Sequence, residues 1–171
     1  MSKFYTKIKQ IEEALSFNKV FTAPDSDEKE KRQKELLDAR LAEVNKTKLP
    51  DGTWHVHGDL DVGDLNLTSL EGLNVSIVDG YFDCSINQLT NLEGSPKEVE
   101  GSFQCSYNNL TSLKGCPKVI NGRFNCRDNQ LKSLEGCPIE VKSSFYCREN
   151  KKHFTHKEIR AVCKVGGYIL S

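Results

Sequence analysis

Phenylalanine recurs every 21 residues in this chain, at Phe82, Phe103, Phe124 and Phe145. Cysteine keeps the same step at Cys84, Cys105, Cys126 and Cys147, and asparagine at Asn87, Asn108, Asn129 and Asn150. Leu89, Leu110 and Leu131 follow it, as do Leu92, Leu113 and Leu134, and Gly94, Gly115 and Gly136. A fixed period of this size rules out most ordinary folds. Each unit is one turn of a coil that cannot bury its own apolar side, so the units must stack into a solenoid.

Within one unit, Val78, Gly80, Phe82 and Cys84 alternate with polar residues, and Val99–Cys105 and Ile120–Cys126 repeat the pattern. Period-two alternation predicts a strand with one buried face. The asparagine that follows carries donors and an acceptor suited to backbone groups that stacking would leave unpaired, which predicts an asparagine ladder. The two leucines then point inward from the convex side, and Gly-Ser-Pro or Gly-Cys-Pro turns the chain back. Val56, Gly58, Leu60 and Val62 form an earlier copy at a step of 22. In the last copy Lys152 and Thr155 replace the leucines. The expectation is therefore five parallel strands at the ~4.8 Å spacing of a sheet.

The ends read as caps. Phe4, Ile8, Ile11 and Leu15 make one helical stripe, and Asp25 or Ser26 can start a second helix carrying Leu36, Leu37, Leu41 and Val44. Thr155-x-x-Glu158 is a capping box, with Phe154 and Ile159 placed as its hydrophobic staple and Gly166-Gly167 as the stop. The fold class is an α+β repeat: a short solenoid with a parallel concave sheet, an N-terminal helical hairpin cap over residues 1–48, repeats over 49–152 and a C-terminal helical cap over 153–171. Trp54 shares the inward parity of the first strand and is expected to plug the junction between hairpin and first coil.

Lysine plus arginine (24) equals aspartate plus glutamate (24). No global charge therefore draws this chain to nucleic acid or membrane, and no apolar run approaches the ~20 residues of a membrane span. Of the seven cysteines, four fall in the inward strand column and Cys116 and Cys137 in a second column, where thiols behave as small apolar side chains rather than as a disulfide set. Their odd number and the lack of a signal peptide's apolar core point to the cytoplasm.

Strand parity assigns the concave face. Its candidate partner-binding residues are His57, Asp59, Asp61, Asp79, Tyr81 and Asp83 at the N-terminal end, then Gln104, Arg123, Asn125, Arg127, Tyr146 and Arg148 toward the other. Any exposed sheet face must be polar, but sorting by sign along the stack suits a partner with a matching charge split. His55, His57, Asp59 and Asp61 offer metal-type ligands, yet alternate residues of one strand are ~6.5–7 Å apart, and only His57, Asp59 and Asp79 are placed to converge. The expectation is no metal, no cofactor and no catalytic residues: no nucleophile–base motif or phosphate loop is present.

The run from Gly101 through Phe103, Cys105, Asn108, Leu110 and Leu113 to Gly115-Cys116-Pro117 resembles repeats of bacterial and phage leucine-rich-repeat proteins, including those of large tailed phages. It also resembles bacterial effectors with twenty-residue units, without the catalytic cysteine domain of their ubiquitin-ligase members. The resemblance covers residues 54–150 and implies the solenoid, while such repeats bind unlike partners. The resulting expectation is a non-enzymatic protein-interaction module, phage-encoded and inhibiting a host defence or regulatory protein. The alternative is a small-ligand or nucleotide binder using a pocket between the hairpin and the first repeats; a metal-dependent hydrolase is a third class.

Overall fold

A computed structural model describes residues 26–171 of the chain. The helix expected over residues 4–15, and hence the hairpin cap, lies outside the described residues. The chain divides into two compact units, Met1–Glu43 and Val44–Ser171. In the first, helix α1 (Ser26–Leu41) carries Asp27 and Glu28 in its first turn, where the helix dipole favours negative charge. Its first six residues are exposed, and Leu36, Leu37, Ala39 and Leu41 are buried.

The second unit is a parallel-sheet solenoid in which successive coils give one short strand to each of two sheets. The first sheet holds β1 (Lys46–Lys48), β2 (Trp54–Val56), β4 (Val75–Val78), β6 (Glu98–Val99), β8 (Val119–Ile120), β10 (Glu140–Val141) and β12 (Lys164–Val165), side by side in that order. The second holds β3 (Leu60–Asp61), β5 (Phe82–Asp83), β7 (Phe103–Gln104), β9 (Phe124–Asn125), β11 (Phe145–Tyr146) and β13 (Ile169–Leu170). Only β1 is antiparallel to its neighbour; it lies along β2 at the edge of the first sheet.

This differs from the five strands in one sheet expected above, and the glycine column is the reason. Between Val78 and Phe82 the chain bends at Asp79-Gly80, so each expected strand becomes two with a corner between them. Neighbouring coils touch at that corner. A Cβ on Gly101 would sit 2.6 Å from the carbonyl carbon of Gly80, and one on Gly122 2.6 Å from that of Gly101. Inward parity survives the bend: Val78, Phe82 and Cys84 are all buried.

The interior is built from columns. Phe82, Phe103, Phe124 and Phe145 are fully buried, with ring centroids 5.2, 6.0 and 5.1 Å apart in tilted to edge-on contact. Burying each side chain contributes ~1.5–3 kcal/mol. The backbone repeats with them: the amide of Phe82 donates to Ser102 O, Phe103 to Arg123 O, and Phe124 to Ser144 O. The asparagine ladder is present. Asn108 Oδ1 accepts from the Leu89 amide, while its Nδ2 donates to Cys105 O and, one coil earlier, to Cys84 O. Asn129 makes the same set with Leu110, Cys126 and Cys105.

One expectation at the C-terminal end is corrected. The capping box forms at Thr155 and Glu158, and Phe154 and Ile159 are buried as its staple. Helix α2 (His156–Val162), however, stops before Gly166-Gly167, at an extended Cys163, and Val162 is exposed. The tail then adds β12 and β13, completing a further coil on both sheets. Gly166 serves as that coil's corner, where a Cβ would lie 2.3 Å from Lys142 O. Trp54 is half-buried under the ammonium groups of Lys46 and Lys48, 5.2 and 5.7 Å from its ring. The strand register is irregular beside it, with Trp54 opposite Val75 and His55 opposite Ile77; the hairpin it was expected to plug lies outside the described residues.

Candidate functional site

The register of the second sheet stacks Asp61, Asp83, Gln104, Asn125 and Tyr146 in one outward column. Acid therefore lies at the N-terminal end of this face. Part of that acid serves the backbone: Asp61 Oδ1 accepts the Gly63 amide, Asp83 Oδ1 the Ser85 amide and Asp59 Oδ1 the Tyr81 amide. Two of these are side-chain turns that hold the chain as it leaves the strand. Asp59, Asp61 and Tyr81 are exposed, while Asp83 and Gln104 are half-buried.

At the other end the structure brings five of the expected residues together. Arg123, Asn125, Arg127, Tyr146 and Arg148 line a depression of about 260 Å³. The Arg123 guanidinium lies 5.1 Å from the Tyr146 ring centre, and that of Arg127 lies 5.0 Å from the ring of Tyr107. Stacking holds two flat, always-charged donor groups in place. Arg127 Nε is 3.5 Å from Asp128 Oδ2, within ion-pair range but too long for a good hydrogen bond. No acidic side chain among the described residues pairs with Arg123 or Arg148.

Tyr107 is the member that outward parity missed. It follows the strand, with a φ of 54°, and is 47% exposed. Its place just before the ladder asparagine, and one coil before Arg127–Asp128, was the available signal.

The acidic end also holds a tight polar cluster. His55 Nε2 is 2.6 Å from Asp79 Oδ1, His57 Nδ1 is 3.1 Å from Asp79 Oδ2, and the two imidazole centres are 4.3 Å apart. Hydrogen bonds from His55 and then His57 hold the Asp79 carboxyl below its ordinary value. The structure thus brings both His55 and His57 onto Asp79, and Asp59, expected in the cluster, turns instead to the Tyr81 amide.

Five of the seven thiols are poor nucleophiles. Burial raises Cys84, Cys105, Cys116 and Cys126 well above the ordinary range and Cys147 to about 12. No disulfide joins the described residues, and all seven cysteines are buried. No helix among the described residues is long and apolar enough to cross a membrane.

Comparison finds no match among protein families, curated proteins or solved structures.

Proposed function

We propose that the protein is a non-enzymatic interaction module of leucine-rich-repeat type, which binds a protein partner through the outward face of its second sheet. The observation that carries this is the basic depression. Three arginines, two of them stacked on tyrosines, are held with their charge turned outward at one end of a face whose other end is acidic. Fixed guanidinium groups suit carboxylates, which they can grip in pairs of hydrogen bonds. The partner is accordingly a protein with an acidic patch opposite the arginines and a basic one opposite Asp59, Asp61 and Asp83. The likeness of the repeats to phage proteins supports a host protein as that partner and its inhibition as the consequence. The seven unpaired thiols support a reducing, cytoplasmic setting. The buried, proton-holding cysteines of the strand column, Cys84, Cys105, Cys126 and Cys147, favour binding over catalysis.

The test is affinity capture from bacterial lysate with three baits: wild type, Arg123→Glu with Arg148→Glu, and Lys114→Glu with Lys132→Glu on the turn side. A protein captured by the wild type and the lysine variant, and lost from the arginine variant, supports the proposal. Loss from the lysine variant alone places the surface elsewhere and overturns it.

A further inference from the structure

We propose that His55, His57 and Asp79 form a site for one divalent transition-metal ion, independent of the partner surface. Each residue offers a ligand atom, and the three atoms lie within 4.8 Å of one another. They come from different places in the fold. His55 lies on β2 and His57 follows it, while Asp79 follows β4 in the next coil, where its amide donates to Val56 O. Two neighbouring coils therefore present one ligand set.

Thr47 gives the site its second layer. Its Oγ1 is 3.0 Å from His57 Nε2, the nitrogen turned away from Asp79. With an ion bound and Nε2–H donating to Thr47, the Nδ1 lone pair of His57 would ligate the metal in place of the hydrogen bond it now makes to Asp79. A metal-bound histidine is held this way, its second nitrogen tied to an oxygen that fixes tautomer and ring orientation. Thr47 lies on β1, so the ion would link β1, β2 and β4 at the edge of the first sheet.

The spacing fits a small cation. Zinc ligands at ~2.0–2.2 Å in tetrahedral array stand roughly 3.3 Å from each other. The two nitrogen–oxygen distances here are 2.6 and 3.1 Å. Side-chain movements on the order of 1 Å would complete the array. All three side chains are partly open to solvent (24%, 33% and 43%), so water can fill the remaining position. Two imidazoles and one carboxylate select zinc, cobalt, nickel or copper over magnesium and calcium, which want oxygen alone. Asp59 is not part of the set, because its carboxylate caps the Tyr81 amide.

The test uses chelator-stripped full-length protein titrated with zinc by calorimetry and with cobalt by visible absorbance. The expected result is one equivalent of zinc bound in the micromolar range, a raised Tm, and no response to magnesium. His55→Ala and Asp79→Asn should each abolish this binding, and Thr47→Val should weaken it on the order of tenfold. His153→Ala with His156→Ala should leave it intact. Should a variant fail to fold, the wild type still decides. Zinc must shift the ring signals of His55 and His57 and spare those of His153 and His156. A cobalt–thiolate absorption band, binding that survives loss of both His55 and His57, or no binding below millimolar zinc would overturn the proposal.

Discussion

Ile86, Tyr107, Asp128 and Glu149 each stand immediately before a ladder asparagine with positive φ, at 57°, 54°, 53° and 54°. Aspartate tolerates this left-handed region, but a β-branched side chain meets its own backbone there. Ile86 is 57% exposed and so gains little from packing. Ile86→Asn should stabilise the protein by about 1 kcal/mol in a denaturant melt. The ladder residues behave oppositely. Asn129→Ala would leave the buried Leu110 amide and the carbonyls of Cys105 and Cys126 without this partner. It should cost ~1–3 kcal/mol, read in the same melt. Phe124→Ala, emptying the middle of the aromatic column, should cost ~3–5 kcal/mol. An unchanged melting temperature in that variant would mean the column does not hold the stack.

The capping element is α2 with the coil that follows it. The Lys152 ammonium, and then the amide and hydroxyl of Thr155, hold Glu158 down to about 2. A carboxyl depressed in the folded state stabilises fully above its unfolded value, and that contribution is lost as pH falls through the folded one. The Tm difference between wild type and Glu158→Gln should therefore be constant above about pH 5 and shrink toward zero near pH 2. Thr155→Ala should cost ~1 kcal/mol at neutral pH. A Tm difference that grows in acid would contradict the assigned role of Glu158. The box was legible in sequence because a cap is set by residues within one turn. The corners were not: Gly80, Gly101 and Gly122 fit an unbroken inward parity whether the strand runs straight or bends. Only the close approach of neighbouring coils shows why those positions exclude a side chain.

For the whole molecule, the stacking columns could be read from the period because every coil must repeat the contacts that hold it to the next. The outward residues vary from coil to coil, so their convergence had to come from the fold. Two arginines of the depression stack sideways on Tyr146 and Tyr107, and His55 reaches Asp79 beside a register shift that no pattern announces. Thiol titration of the denatured, non-reduced protein should count seven, as the buried unpaired cysteines require. The central claim is that the outward face of the second sheet is the binding surface. Amide hydrogen exchange with and without the captured partner tests it most directly. Slowed exchange should fall on residues 81–83, 123–127 and 146–148, and weaken as salt screens charge over ~8–10 Å. Slowing confined to the turn segments 111–116 and 132–137, with the sheet face unchanged, would contradict it.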